Sequence, residues 1–286
     1  MTDKYADNMT RHASDAQRLD EQVDLMIENI GYILHPSIIS ALPKAPVIAD
    51  VATGTGRFLL HARDLYPDGS FDGSDISRAA FPPPGDLPEN VTLTVLDVKK
   101  PVPETLHEKY DVVNVRMLVA AMLPEDWAPA VVNLSRMLKP GGFLQWTECD
   151  VVSIKQLRGR GDSSVENIRF LQETFNTAIQ EQISYGWSTL PTHMQEAGLH
   201  PIVRDIVSSD RIADTRERVT TNSIRVALAW ARLMAARGTP GAMTAEEVDQ
   251  LETNVQKDIE SGAYLRYDIH IICGRKPSKQ MTHSKL

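Results

Sequence analysis

The stretch Val47-Ile48-Ala49-Asp50-Val51-Ala52-Thr53-Gly54-Thr55-Gly56 constrains this chain more than any other. A short apolar run leads to an acid, then to a glycine-rich turn, then to a helix-compatible run from Arg57 to Tyr66. That order is strand, tight turn, helix. Gly54 and Gly56 let the backbone turn sharply and approach a ligand where a side chain would collide. Free amides at the start of the helix can receive a polar or anionic group. Two nucleotide-type sites use such turns, and both fit poorly. A dinucleotide turn, G-x-G-x-x-G, wants its third glycine where Leu59 stands. A phosphate-cradling loop wants Gly-Lys-Ser/Thr at its end, and Gly56 is followed by Arg57-Phe58.

Strand and helix alternate beyond the turn. Ser70 to Ser77 reads as a second strand, and Asp75 near its end suits bidentate hydrogen bonding to the two ribose hydroxyls of a nucleoside. Val91 to Leu96 alternates as a third strand, closed by Asp97-Val98. Tyr110 to Arg116 is a buried fourth, and Phe143 to Glu148 a fifth after a helix stopped by Lys139-Pro140-Gly141-Gly142. This alternation argues for a parallel sheet with helices on both faces. Pro201 to Val207 is strand six, and a last alternating strand around Leu265 to Cys273 carries a partly polar face, as at a sheet edge.

Three helical segments lie outside the alternation. Residues 1–17 are polar and loose. From Leu19, the spacing of Val23, Met26, Ile27, Ile30 and Leu34 marks one helix face, redirected at His35-Pro36. Ser164 to Gln182 is a long helix and Leu190 to Gly198 a shorter one. Residues 212–262 hold two helices, the second opened by the capping box Thr244-Ala245-Glu246-Glu247. The expected division is an N-terminal helical cap over 1–45, a core over 46–150 and a lid insertion over 151–190. Core resumes over 191–211, followed by a helical insertion over 212–262, the last core strand over 263–276 and a charged tail over 277–286.

The length, 286 residues, allows one large domain with a cap. A net charge of −8 speaks against an extended nucleic-acid surface. Two cysteines, without zinc-type spacing, give no disulfide framework. A polar start and the lack of a long apolar run predict no signal peptide, no membrane partner and a cytoplasmic setting.

The order acid-x-x-x-Gly-x-Gly from Asp50 to Gly56 resembles motif I of the class I S-adenosylmethionine (SAM) methyltransferases. Asp75, Leu96-Asp97, the strand Tyr110 to Arg116, Leu138-Lys139-Pro140-Gly141-Gly142 and Trp146-Thr147-Glu148 follow in the family's order. Tyr32-Ile33-Leu34-His35-Pro36, with Leu144-Gln145-Trp146-x-Glu148, is similar to the fungal secondary-metabolism methyltransferases, a group that includes the LaeA-like regulators. One departure is Ala52, where many members have glycine; the extra methyl should be tolerated. The resemblance implies an α/β fold: a doubly wound, seven-stranded Rossmann-like sheet, last strand antiparallel, with a helical cap. It implies SAM as cofactor, held by Tyr32, Asp50, Ala52, Thr53, Gly54, Gly56, Asp75, Ile76, Asp97, Val98, Asn114 and Arg116, with Asp97 near the adenine and Asn114 and Arg116 at the methionine end.

Methyl transfer from a sulfonium needs alignment, desolvation and in some cases a base. His193 and Glu148 are the candidate catalytic residues, with His35 a weaker one. Glu148 and Asp150 alone do not make a clustered acid site, so no metal is expected. Tyr32, Trp146, Tyr185, Trp187 and Trp230 are ordinary core aromatics or an apolar box for a flat substrate. The expected partner is a small-molecule substrate, with a homodimer through the caps as the alternative packing. A SAM-binding cyclase or pericyclase, or a regulator that transfers no methyl, keeps the same cofactor residues and stays open here.

Overall fold

The computed structural model describes residues 8, 15–83 and 85–278. The loose start and the charged tail expected at the ends lie largely outside the described residues. The first helix that lies wholly within the described residues, α1 (Ala16–Ile30), stops at Gly31, and a single turn, α2 (Pro36–Ile39), follows. Then come β1 (Val47–Val51), α3 (Arg57–Leu65), β2 (Ser70–Asp75), β3 (Val91–Val95) and β4 (Tyr110–Arg116). They are followed by α4 (Trp127–Met137), β5 (Leu138–Cys149), β6 (Lys155–Arg158), α5 (Glu166–Ala178), α6 (Gln180–Ile183) and α7 (Leu190–Glu196). The chain closes with β7 (Ile202–Ser208), α8 (Arg216–Ala236), α9 (Ala245–Glu260), β8 (Ala263–Arg266) and β9 (Asp268–Arg275).

Seven strands make one sheet in the order β3-β2-β1-β4-β5-β9-β7. β1 to β5 run parallel, and β9 runs antiparallel between β5 and β7. The sheet is the doubly wound one implied by the strand–helix alternation. Valines drive its centre: Val112, Val113 and Val115 of β4 are all fully buried, as strands covered on both faces require.

Three readings of the sequence change. The last strand is not an edge: β9 lies inside the sheet, and its polar residue His270 is buried against Trp187. Its apparent start, Leu265, belongs to β8, which pairs with β6 in a separate two-stranded sheet. The long helix divides at Ile179 into α5 and α6.

Of the helices outside the alternation, α1, α5, α6 and α8 gather beside the residues that follow β1, β4 and β5. α8 packs on α1, α5 and α9, and α5 packs on α9. The capping box is present: Glu247 donates its amide to Thr244 Oγ1 at 3.2 Å, and Thr244 donates its own to Glu247 Oε2 at 2.7 Å. Polar contacts tie α1 to the glycine turn. Thr55 Oγ1 donates to Asp20 Oδ1 at 2.5 Å, and Arg57 grips Asp24 through Nε and Nη2, both at 2.9 Å.

Candidate active site

β1 ends in the turn that the sequence foreshadows, and the geometry shows why each residue is there. Gly54 and Gly56 have φ of +58° and +83°, conformations that side chains resist. Ala52 also sits at φ +58°, so the departure from glycine is accepted at the cost of a left-handed alanine. Thr53 donates its amide to the Ser74 carbonyl at 2.9 Å and its hydroxyl to Asp50 Oδ2 at 2.7 Å. The Asp75 carboxylate receives the Gly54 amide on Oδ2 and the Ser77 amide on Oδ1, both at 3.1 Å.

A cavity of about 240 Å³ opens on this turn. It is lined by Ala52, Thr53, Gly54, Thr55, Ile76 and Arg116 and by the run Met117 to Ala121. The far end is made by the caps: Arg18, Leu19, Gln22, Val23 and Met26 of α1; Gln172, Phe175, Ile179 and Ile183 of the α5–α6 segment; Ser223 and Val226 of α8. Cys149, Val151, Ile154 and Tyr267 complete it. All three helical segments therefore reach one cavity.

Asp50, Gly56 and Asn114 stand behind the wall rather than in it. Asp50 and Asn114 are fully buried, and Asn114 Nδ2 donates to Asp50 Oδ1 at 2.7 Å. Asp97 and Val98, beyond β3, also lie off the wall. Asp97 accepts the Lys99 amide at 3.1 Å and pairs with Lys100 at 3.4 Å, while the Val98 carbonyl receives Asn133 Nδ2 at 2.8 Å. Leu96 joins this end to the site by donating its amide to the Asp75 carbonyl at 2.9 Å.

Three expected site residues are elsewhere. Tyr32 donates to Asp205 Oδ2 at 2.7 Å, on β7, the edge of the sheet opposite to the β2–β3 side that carries Asp75. His193 lies on α7, which packs on α4, β7 and β9; it faces Glu196 at 3.5 Å and the Tyr185 ring at 6.4 Å between centroids, and it is not on the cavity wall. His35 is bound to Ser37 and lies 3.4 Å from Asp205. The aromatic box is likewise different. Trp146 is buried and stacks on Trp127 with centroids 5.4 Å apart; Trp187 stacks on His270 at 4.0 Å; Trp230 only backs Phe175 at 5.7 Å. The aromatics that do line the cavity, Phe175 and Tyr267, were not singled out by the sequence. Phe175 follows Leu171 and Ile168 on one helical stripe, a signal for burial but not for what is faced.

Glu148 is fully buried beneath the wall rather than in it. Its Oε1 receives the Leu118 amide at 2.7 Å and Trp146 Nε1 at 2.9 Å. Burial pushes its carboxyl up to about 7, against the lowering effect of those donors. Burial also pushes the Cys149 thiol and the Tyr267 hydroxyl well up, so neither loses its proton near neutrality.

The residues fit a sulfonium nucleoside with an amino-acid end. The glycine turn gives backbone access, Asp75 stands just off the wall with its carboxylate on the Gly54 and Ser77 amides, and Arg116 holds its guanidinium in the wall with a buried Nε that has no partner among the described residues. A Cβ on Gly54 would meet Leu19 Cδ1 at 3.6 Å, an ordinary contact, so the positive φ rather than lack of space calls for glycine there. Among the described residues no group of three or more His, Cys, Asp or Glu side chains is placed to hold a metal ion. Nor is any described helix long and apolar enough to cross a membrane.

With its strand order, its antiparallel β9 and the glycine turn at the end of β1, the chain belongs to the class I SAM-dependent methyltransferases, and SAM is its cofactor. A family model for the methyltransferase domain matches residues 49–144. The methyltransferase grgD of Penicillium sp is 33% identical over 281 residues, covering 91% of this chain and 92% of that one. The N-methyltransferase sirN of Leptosphaeria maculans is 24% identical over 269 residues, covering 93% of each chain. The crystal structure of the [4+2]-cyclase SpnF shares the fold, with a TM-score of 0.50 at 17% identity, over 93% of this chain and 96% of that one.

Proposed function

We propose that this methyltransferase acts on a small, largely apolar metabolite of fungal secondary metabolism, with nitrogen as the first acceptor to test. The observation that carries this reading is the character of the cavity beyond the turn. Val23, Met26, Ile154, Phe175, Ile179, Ile183 and Val226 line it, and Arg18 and Arg116 are the only charged side chains that do so among the described residues. Such walls favour an uncharged, greasy body and exclude water from it. Arg18, Gln22, Gln172, Ser223 and Tyr267 supply the polar points at the cap end that could orient it, Arg18 with a positive charge. The choice of nitrogen rests on the relative named as an N-methyltransferase.

In this reading Asp75 receives the ribose hydroxyls, Asp97 lies toward the adenine, and Arg116 meets the methionine carboxylate. Bound there, SAM supplies the activated methyl carbon. The chain's own residues hold donor and acceptor in line and keep water out. The two buried free thiols, Cys149 and Cys273, suit a reducing, cytoplasmic setting.

The test is release of S-adenosylhomocysteine (SAH) with a panel of apolar amines, amides, phenols and thiols, each beside a carboxylated analogue. Turnover confined to uncharged members supports the reading. Preference for the charged analogues sinks it.

A further inference from the structure

We infer that Glu148 is a positioning residue: it fastens the Met117–Val119 wall of the cofactor cavity and takes no proton from the substrate. Strand alternation sets this up. Trp146 and Glu148 point to one face of β5, while Cys149 reaches the cavity from the other. On that hidden face Glu148 has no exposed surface, and its Oε2 has no partner among the described residues. A carboxyl sealed in this way has no path to a bound substrate, whereas a base must come within hydrogen-bond reach of the proton that it removes.

What the carboxyl does touch is the wall. Met117 leaves β4 with φ +53°, a conformation that a long unbranched side chain resists. Such a turn persists only if its neighbours hold it. Met117 donates its amide to the Thr147 carbonyl at 3.0 Å, and Leu118 donates the next one to Glu148 Oε1 at 2.7 Å. Two consecutive wall amides are thus tied to two consecutive residues of β5. The oxygen is itself fixed, since Trp146 Nε1 donates to it at 2.9 Å and that indole stacks on Trp127. Met117, Leu118 and Val119 all line the same cavity as Gly54, so the tie shapes the wall against which the cofactor would lie.

The experiment compares Glu148→Gln and Glu148→Ala by calorimetric titration with SAH, with circular dichroism to establish folding. Glutamine keeps an acceptor at Oε1, so SAH affinity should stay within about threefold of wild type. Alanine strands two buried donors, and SAH should bind at least ~10-fold more weakly. A folded alanine variant with wild-type affinity would overturn the proposal, because Glu148 would then serve stability alone. A second arm measures kcat with the best acceptor from the panel above. The glutamine variant should keep kcat and its pH profile; a loss of ~100-fold, with disappearance of an acid limb near pH 7, would make Glu148 a base and also overturn it. That arm rests on the proposed function and the SAH arm does not, so failure of the one reading is distinguishable from failure of the other. If the alanine variant does not fold, the glutamine variant decides alone: wild-type SAH affinity and kcat support the proposal, and loss of kcat overturns it.

Discussion

Asn114 Nδ2 donates to Asp50 Oδ1 at 2.7 Å, and the two residues face each other across the β1–β4 register. The row continues: Asn114 pairs with Gln145 on β5, whose Nε2 donates to Asn114 Oδ1 at 3.1 Å and to the Ile33 carbonyl at 3.0 Å. Gln145 Oε1 takes the His35 amide at 2.8 Å. At the other end Asp50 receives Thr53 Oγ1 and, at 3.4 Å, Arg116. A buried polar row thus joins the segment after α1 to the glycine turn. Each member is costly if unpaired and stiff when paired.

Breaking that row should loosen the turn. Asn114→Ala removes one donor from a buried carboxylate, and a loss of about 2–4 kcal/mol in unfolding free energy is expected, with weaker SAH binding. Urea unfolding followed by tryptophan fluorescence measures the first. A change below about 0.5 kcal/mol would mean that the row contributes little.

Ala52 offers the opposite case. Its left-handed backbone costs an alanine roughly 1–2 kcal/mol, and glycine gives back about 0.5–1 in chain entropy. Ala52→Gly should therefore be neutral to slightly stabilising, with Tm unchanged or raised by a few degrees. A clear drop in Tm would show that the methyl packs better than its conformation suggests.

His193→Ala and Tyr32→Phe should leave SAH affinity within about threefold of wild type, since neither side chain is on the cavity wall. In the acceptor assay His193→Ala should also keep kcat/KM. A fall of ~100-fold for His193→Ala would return it to the chemistry.

Much of this was legible in the sequence, and the failures share one cause. The turn from Asp50 to Gly56 announced itself because glycine, acid and helix start each answer a local demand. The alternation of β1 to β5 with helices likewise followed from periodicity. Tyr32, His193 and Trp146 were misplaced because periodicity gives an element's faces without saying which neighbour covers them. Trp146 alternates toward α4, not the cavity, and nothing within β5 marks that side. The division between β8 and β9 was invisible for a similar reason: Leu265, Tyr267 and Ile269 keep a strand's alternation straight through it.

Stability should depend on pH through Glu148. Its carboxyl is raised by burial from 4.5 to about 7. Between those values the folded state binds the extra proton, so stability falls as pH rises from about 4.5 to 7 and levels off above, by roughly 3 kcal/mol at most. Glu148→Gln should flatten that part of the curve, as read by denaturant midpoints at several pH values. An unchanged slope would place the titration elsewhere.

The central claim, that SAM lies on the Gly54–Gly56 turn with its ribose at Asp75, is tested most directly by calorimetric titration of SAH into wild type and Asp75→Ala. Loss of charge-assisted hydrogen bonds, each contributing roughly 1.5–3 kcal/mol, should weaken binding by ~10-fold or more. An Asp75→Ala protein that is folded and binds SAH with wild-type affinity would contradict the claim.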